Sequence, residues 1–394
     1  MISRNLRHFR VFLAVAELRT PTAAADRCLV SQPAVTQALS KLEREAGGSL
    51  FDRTRQGFFP TERGDVLHAR LKRAMDRLDL GLAEVAPRLI RTATTAQLQA
   101  LIAVVETQNV TLAARALGLA QPTVHRAITQ FEQEAGRSLF ERTSFGMVAT
   151  RVCRDLAQAA RLAFSEFDQV EADLADFDGR EVGRIVVGAL PLSRSVVLPE
   201  AVASFRAARP KSKVTILDGP YNEMLSSLRR GEIDFVIGAM RDPLPIEDVV
   251  QEPLFVDHLC VLARPDHELA KQRDVPLAEL VQHPWAVPRP GTPSREQFDA
   301  MFEAMGMALP ESIVECGSIL LMRELLLKSD LLGCISGQQA KAELRNGLLV
   351  RLHTRIDWPG RKIGLTYRRD WMPTSAQSRL LDEVRKAAYL VGAE

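Results

Sequence analysis

Apolar residues at helical spacing mark the first helices of the chain. The first predicted helix has its apolar side chains three or four residues apart, at Phe9, Phe12, Leu13 and Ala16. Residues 23–28 predict a short, alanine-rich second helix, and its lack of bulk lets a neighbouring helix cross it closely. The chain therefore begins with small, closely crossing helices.

A third helix is predicted to begin after Ser31, which is a natural N-cap. Pro33 falls in its first turn, where a missing N–H group is tolerated. The buried stripe of this helix consists of Val35, Leu39 and Leu42. Its outer face is therefore polar and consists of Gln32, Thr36, Gln37, Ser40 and Lys41.

Two short apolar segments, LFDRT and GFFPT, flank Arg55 and Gln56 and predict a β-hairpin after the third helix. A short helix, a turn, a polar-faced helix and a hairpin are typical of a winged helix-turn-helix, which binds double-stranded DNA. Gln and Thr can hydrogen-bond base edges, and Arg can reach phosphates. The predicted DNA-binding residues are Ser31, Gln32, Pro33, Thr36, Gln37, Ser40, Lys41, Arg53 and Arg55. The alternative is that they are solvated surface residues of an ordinary three-helix core.

The same pattern occurs a second time, 89 residues further along the chain. Residues 14–61 align with residues 103–150 without a gap, and 21 of the 48 positions are identical. This agreement indicates a true internal repeat. The repeat also favours DNA binding over a merely solvated surface, because the same specific motif occurs twice. The predicted DNA-binding residues of the second copy are Gln121, Thr123, His125, Arg126 and Arg142.

A helix with a heptad pattern follows each hairpin. The seam of the first copy is Leu67, Leu71, Ala74, Leu78, Gly81 and Val85, and the seam of the second is Leu156, Ala160, Ala163, Phe167, Val170, Leu174 and Phe177. The joint at residues 88–95 is long enough for an antiparallel return, so the two helices can pair within one chain. Pairing between chains, packing of either helix on a globular core, and folding of the first copy onto the rest of the chain stay open.

The hydrophobic period changes at residue 184. The strands RIVVGALP, KVTILDG and DFVIGAM alternate with the helices VVLPEAVASFRAARP and EMLSSLRRGEI. This alternation predicts an α/β domain with a parallel sheet. Ligands of such domains lie beyond the carboxyl ends of the strands, where helix N-termini favour anions. The predicted ligand-binding residues at these ends are Leu192, Ser193, Arg194, Met240, Arg241, Gly291, Thr292, Ser318 and Ser336.

The segment SQPAVTQALSKLEREAGGSLFDRTRQGFFPTERG resembles the DNA-binding head of LysR-type transcriptional regulators. The second copy departs from the family pattern at Ala120, His125, Phe131 and Cys153. The resemblance extends through RRGEIDFVIGA, LARPDHELA and LLVRL. It implies pairing of heads through the helix after the wing. It also implies two α/β subdomains like those of a periplasmic binding protein, with a Ser or Thr position after the first strand that matches Leu192 or Ser193. The usual family member has one head, and this chain has two.

The predicted fold is therefore multidomain, with two helix-rich winged helix-turn-helix domains and their linker helices before an α/β effector-binding domain of two subdomains. The predicted boundaries are 1–62 for the first head, 63–91 for its linker helix and joint, 92–151 for the second head, 152–180 for its linker helix and 181–394 for the effector-binding domain. The first subdomain is expected at about 181–259 and 354–394, and the second at about 265–350.

The formal net charge of +2 is distributed unevenly. Residues 1–91 contain 16 Lys and Arg against 10 Asp and Glu, a net +6, whereas residues 92–180 contain 8 against 11, a net −3. Because binding to DNA releases counterions in proportion to the phosphates neutralised, the first copy is expected to supply most of the DNA affinity.

The composition of the chain limits its expected cellular location and the metal and disulfide chemistry that it can support. No run of 18 uncharged apolar residues occurs, and the N-terminus lacks the features of a signal peptide, so a cytoplasmic protein without a membrane span is expected. Five scattered cysteines without a CxxC pair fit reduced thiols and predict neither a disulfide framework nor a zinc site. We expect no metal and no cofactor.

The sequence thus predicts a ligand-responsive transcriptional regulator that forms a dimer or tetramer and responds to a small polar or anionic effector, such as a carboxylate or a sugar. A sensor like a solute-binding protein is one alternative. An enzyme is another, but the chain has no HExxH, GxSxG or Walker motif, and Cys316 has no evident histidine partner. We expect a protein that is not an enzyme.

Overall fold

The computed structural model describes residues 2–144, 146–244 and 246–392, and of Arg142 it describes the backbone only. The chain divides into two units, Met1–Arg184 and Ile185–Glu394. In the described ranges, no helix is both long enough and apolar enough to cross a bilayer.

The first unit contains the two copies of the repeat. The elements of the first copy are α1 (Leu6–Leu18), α2 (Pro21–Cys28), α3 (Gln32–Ala46), β1 (Phe51–Thr54), β2 (Gly57–Pro60) and α4 (Glu62–Val85). A short helix, α5 (Leu89–Thr92), joins them to the second copy, which consists of α6 (Thr95–Thr107), α7 (Val110–Leu117), α8 (Gln121–Ala135), β3 (Phe140–Thr143), β4 (Gly146–Ala149) and α9 (Arg151–Phe177). Each element of the second copy begins 89 residues after its counterpart. Both copies have the order expected from the sequence.

Gly57 and Gly146, which correspond in the repeat, have the same structural role in the two copies. The hairpins begin their second strands at Gly57 and Gly146, with positive φ values of 134° and 126°. A Cβ atom there would lie 2.7 Å from the carbonyl oxygen of Arg19 and 2.5 Å from that of Gln108, so neither site accepts a side chain. Since Arg19 and Gln108 are themselves 89 residues apart, each wing is attached to its helices in the same way.

The linker helices α4 and α9 pack against each other within one chain. Contacts run from Arg63 with Asp178 at one end to Gly81 with Leu156 at the other, so the helices are antiparallel. Leu67, Leu71, Ala74 and Leu78 of the first seam are fully buried, and most of the second seam is buried too. The prediction for Phe177 is wrong, because this side chain is 46% exposed at the end of the seam, where the Arg63 guanidinium lies over its ring.

The second unit contains two five-stranded sheets. The first sheet and its helices comprise β5 (Arg184–Ala189), α10 (Pro191–Ser195), α11 (Val197–Ala208), β6 (Lys213–Leu217), α12 (Tyr221–Arg229), β7 (Phe235–Ala239), β8 (Val249–Asp257), β14 (Arg361–Arg368) and α17 (Ser375–Gly392). The second comprises β9 (Leu259–Ala263), a 3-10 turn (Glu268–Lys271), α13 (Leu277–Leu280), β10 (Trp285–Val287), α14 (Pro293–Ala304), β11 (Ile313–Glu315), α15 (Ile319–Leu327), β12 (Leu332–Ser336), α16 (Lys341–Arg345) and β13 (Val350–Arg351). The chain thus crosses between the sheets after β8 and returns after β13.

Both sheets are mixed, which corrects the prediction of a parallel sheet. In the first sheet, with the order β6-β5-β7-β14-β8, strand β14 is antiparallel to β7 and β8. In the second, with the order β11-β10-β12-β9-β13, strand β9 is antiparallel to β12 and β13. The sequence analysis did not identify β8 or β14. Strands β9 and β14, which follow the two crossings between the sheets, are antiparallel to the strands beside them. The alternation of strands and helices predicts only the parallel strands of β-α-β units, so it could not reveal this antiparallel pairing.

Candidate functional site

The predicted DNA-binding residues of the first copy lie at the exposed start of α3 and on the wing. The Ser31 hydroxyl accepts a hydrogen bond from the Ala34 N–H group at 3.4 Å, so Ser31 is the N-cap of α3 as expected. The predicted DNA-binding side chains of α3 are exposed, except for Lys41. The Lys41 side chain is half-buried, and its Nζ atom lies 3.8 Å from the Glu45 carboxylate. The outward residues of this face are Gln32, Pro33, Thr36, Gln37 and Ser40.

Arg53 has a structural role that its sequence position did not suggest. Its guanidinium lies 3.0 Å from the Glu43 carboxylate and over the ring of Phe58, with half of its side chain exposed. The other oxygen of Glu43 accepts a hydrogen bond from the Leu50 N–H group at 3.2 Å. Arg53 therefore ties the wing to α3, and a phosphate contact would compete with or extend this ion pair. Arg55, at the tip of the hairpin, is exposed.

The second copy presents a face of the same shape and a different chemistry. Gln121, Thr123, His125 and Arg126 are exposed along the start of α8. Ala120 begins this helix without a side-chain cap, in contrast to Ser31. Glu132 accepts hydrogen bonds from the Leu139 and Phe140 N–H groups, as its counterpart Glu43 does from Leu50. The side chain of Arg142 lies outside the described residues, so its predicted DNA contact stays a prediction.

A buried ionic cluster joins the two linker helices. The Arg70 side chain, 1% exposed, donates from Nη1 to Glu166 at 2.8 Å and to Gln169 at 2.6 Å, and from Nε to Asp173 at 2.7 Å. Arg73 also lies 3.2 Å from Glu166. Burial raises the pKa of the Asp173 carboxyl, although the neighbouring Arg70 acts in the opposite direction. Arg70 of α4 thus binds three side chains of α9.

Three predicted effector-binding residues are in the interior, contrary to the sequence analysis. Leu192 is 5% exposed and packs in the core of the first sheet. Ser193 is fully buried and donates its hydroxyl to the Leu190 carbonyl at 2.7 Å. Ser336 is also fully buried and donates to Asp257 at 2.7 Å. These polar groups satisfy backbone and side-chain partners inside the fold, so none of the three lines an open site.

The other predicted residues are accessible, and Arg241 reaches from one sheet to the other. Its guanidinium lies 4.6 Å from the ring centroid of Tyr221, which begins α12 beside the first sheet. The same group donates a hydrogen bond at 3.4 Å to the carbonyl of Gly291, which follows β10 of the second sheet. Thr292 caps α14 and Ser318 caps α15, each through its hydroxyl. Met240 is half-buried beside Arg241. Arg194 is exposed and paired with Asp218 at 2.8 Å.

Two further groups of polar residues were missed by the sequence analysis. Arg361 of β14 binds the buried Asp257 through Nε at 3.0 Å and also bonds to Ser294 at the start of α14, linking the first sheet to the second. The hydroxyl of Tyr221 and the amide oxygen of Gln338 are buried without a hydrogen-bond partner among the described residues. No motif marks Arg361, because its partners Asp257 and Ser294 are distant in the sequence.

Four of the five cysteines, all except Cys28, are buried. The Cys316 thiol is buried and donates to the Ser318 carbonyl at 3.3 Å. Burial raises the pKa of the Cys153 and Cys260 thiols to about 12, which suppresses the reactive thiolate. Among the described residues, no cluster of three or more His, Cys, Asp or Glu side chains could hold a metal ion.

Comparison with known proteins identifies the family. Residues 178–388 match the LysR substrate binding domain. Residues 6–65 and residues 95–154 each match the bacterial regulatory helix-turn-helix protein of the lysR family. The chain belongs to the LysR family of transcriptional regulators. It combines the family's helix-turn-helix DNA-binding part with the family's α/β effector-binding part of two sheets.

The relatives of this LysR-family chain differ in length. The HTH-type transcriptional regulator GalR of Pseudomonas putida is 34% identical over 387 residues, which are 97% of each chain. The HTH-type transcriptional regulator PcaQ of Agrobacterium fabrum is 26% identical over 291 residues, which are 94% of that protein and only 74% of this chain. The uncovered quarter of the present chain is about the length of one copy of the repeat.

Solved LysR-family structures share the fold at low sequence identity. Full-length LysG of Corynebacterium glutamicum, solved with bound effector Arg, superposes with a TM-score of 0.53 at 20% identity and covers 74% of this chain and 98% of its own. Full-length OxyR of Pseudomonas aeruginosa has a TM-score of 0.51 at 19% identity and covers 75% of this chain and 98% of its own.

Proposed function

We propose that two winged helix-turn-helix heads of one chain bind double-stranded DNA, and that a small polar or anionic effector between the α/β subdomains alters that binding. The two subdomains would close on the effector like those of a periplasmic binding protein. The protein would act as a homo-oligomer, a dimer or tetramer, without a metal or a cofactor.

The DNA-binding proposal is carried by the matched exposed faces of α3 and α8. Both helices begin with Gln-Pro, keep Val35 or Val124 buried and turn polar residues outward over their first two turns. An exposed polar face at the start of a helix, beside a wing, suits reading of the major groove. Because α4 packs along α9, the two faces belong to one assembled unit of the chain.

The effector proposal rests on polar groups that converge from both sheets. Arg241 can supply a positive charge, and the Thr292 and Ser318 hydroxyls lie at helix N-termini, where N–H groups favour an anion. The ring of Tyr221 lies under the Arg241 guanidinium, and its hydroxyl, which has no hydrogen-bond partner among the residues that the structure describes, adds a donor for the same ligand. We therefore replace Leu192, Ser193 and Ser336 in the proposed site with Tyr221 and keep Met240, Arg241, Gly291, Thr292 and Ser318, with Arg194 at the rim.

A mobility-shift assay of the full chain on the DNA upstream of its own gene tests this function. We expect Gln32→Ala with Gln37→Ala to lower the affinity at least tenfold, since each good base contact contributes about 1–3 kcal/mol. The matched control is Gln282→Ala, which removes an exposed glutamine from the second unit. Equal affinities of the two variants would contradict the proposed DNA-binding face.

The effector part is tested by a thermal-shift screen of small carboxylic acids and sugars on the full chain, followed by the mobility shift with each compound that raises the melting temperature. A binding compound should change the affinity for DNA. Thr292→Val and Arg241→Ala should abolish that response and leave DNA binding without effector unchanged. A full response in both variants would place the effector elsewhere.

A further inference from the structure

We infer that the paired heads read an asymmetric DNA site, made of two unlike half-sites in a fixed order. This inference rests on the proposed DNA-binding function. It concerns the DNA sequence that the heads select, which distinguishes this chain from a regulator that presents two copies of one head.

The linker helices carry a charge pattern that favours pairing between unlike copies. Arg70 of α4 is buried against Glu166, Gln169 and Asp173 of α9. The repeat of 89 residues identifies the counterparts in the other copy. Arg70 corresponds to Ala159, and the three residues that hold it correspond to Arg77, Leu80 and Glu84.

Neither linker helix could pair equally well with a copy of itself in this register. In an α4–α4 pair, Arg70 would keep one carboxylate, Glu84 in place of Asp173. It would, however, meet Arg77 in place of Glu166 and Leu80 in place of Gln169. In an α9–α9 pair, Ala159 would face Glu166 and Asp173, leaving buried carboxylates without a cation. A buried charge without its partner typically costs several kcal/mol. The α4–α9 pair avoids both arrangements, so an assembled pair of heads contains one head of each kind.

The two heads share a scaffold and differ on the surface that would meet base edges. Their helices and hairpins have the same lengths, and Glu43 and Glu132 hold equivalent backbone N–H groups. On the outer face of α3, however, Ala34, Thr36 and Gln37 occupy the positions that Thr123, His125 and Arg126 occupy on α8. The difference is therefore in base recognition and not in the fold of the head.

The chemistry of these residues predicts different base preferences. Gln pairs best with adenine, whereas Arg pairs with guanine through its O6 and N7 atoms. The half-site under the second head should therefore carry a guanine where Arg126 reaches it, and the half-site under the first head should prefer adenine at the position that Gln37 meets. Two such half-sites form a directional sequence, which fixes the orientation of the bound protein along the DNA.

Selection of bound duplexes from a random pool by the full chain tests the inference. The enriched site should have two unlike halves, here called A for the first head and B for the second. Duplexes with the arrangement A–B should bind roughly five- to a hundred-fold more tightly than the symmetric A–A and B–B duplexes, since a good bidentate base contact discriminates to that extent.

A matched variant assigns each half to its head. Thr123→Ala, His125→Thr and Arg126→Gln together give the second head the residues of the first at these three outer positions, which are exposed and which the core does not depend on. This variant should prefer A–A over A–B, and its thermal melting curve should match that of the wild type. Reversal by the triple variant would identify the second head as the reader of half-site B.

The possible outcomes test the asymmetric site separately from the proposed DNA-binding function. Enrichment of a palindromic site, or an unchanged preference in the folded triple variant, would overturn the asymmetric reading while leaving DNA binding intact. Failure to enrich any sequence would instead refute the proposed DNA-binding function itself.

Discussion

Removal of the Arg70 side chain should destabilise the first unit far more than removal of any exposed arginine. Arg70→Ala leaves Glu166, 5% exposed, and Asp173 without their buried cation. Loss of one partner of a buried ion pair costs about 3–5 kcal/mol. Because Arg73 still lies 3.2 Å from Glu166, we expect about 3 kcal/mol, the lower end of this range.

The chain offers two separate signals for this measurement. All three tryptophans, Trp285, Trp358 and Trp371, lie in the second unit, so their fluorescence reports unfolding of that unit alone. Circular dichroism at the helical band also follows the long helices of the first unit. With a urea dependence of about 2 kcal/mol/M, a loss of about 3 kcal/mol lowers the midpoint of the helical transition by about 1.5 M.

Two further variants separate the ion pair from a general loss of packing. Arg73→Ala removes a half-exposed arginine that contacts the same carboxylate, and it should cost only about 0–1 kcal/mol. Asp173→Asn added to Arg70→Ala should recover part of the stability, because it removes the charge of the carboxylate that has lost its ion pair with Arg70. Equal shifts for Arg70→Ala and Arg73→Ala, or an equally large shift of the tryptophan signal, would refute the reasoning.

Three more predictions follow from the site and the charge distribution. Alanine at Gln32, Thr36 and Arg53 should weaken DNA binding in a mobility shift more than alanine at Gln121, His125 and Arg142, because the first copy, with a net +6 in residues 1–91 against −3 in residues 92–180, is expected to supply most of the DNA affinity; a larger loss from the second set would reverse the ranking. Ser318→Ala should abolish the response of DNA binding to an effector, whereas Ser193→Ala, which removes a buried hydrogen bond to Leu190, should instead lower stability by about 1 kcal/mol and keep the response. Iodoacetamide at pH 8 should label only the half-buried Cys28 in the folded protein, since burial raises the pKa of Cys153 and Cys260 to about 12 and Cys316 and Cys334 are buried too; rapid labelling of a second cysteine, read by mass spectrometry, would contradict the packing.

Local features of the first unit could be predicted because their causes lie close together in the sequence. The N-cap at Ser31, the proline in the following turn and the stripe of Val35, Leu39 and Leu42 act within one or two helical turns. The repeat of 89 residues then predicts the second set of elements from the first. The presence of two seams could be predicted for the same reason.

The partner of each seam was decided only by the tertiary structure. A heptad shows that a helix buries one face, but many apolar surfaces satisfy that need equally well. The choice of α9 for α4 depends on Arg70 and on three residues about a hundred positions away. Arg70 meets these residues only when the two helices lie side by side, so the periodicity of either helix alone does not predict the pairing.

The effector-binding region shows the same division between local and distant causes. The sequence located the strand ends and the caps at Thr292 and Ser318, since hydroxyls before helices have local partners. It could not determine which hydroxyls turn inward. Ser336 is buried with its hydroxyl on the distant Asp257, and the bridge from Arg241 to Gly291 spans 50 residues. The direction of a polar side chain is set by the partner that can satisfy it once it is buried, and that partner is brought near only when the chain has folded.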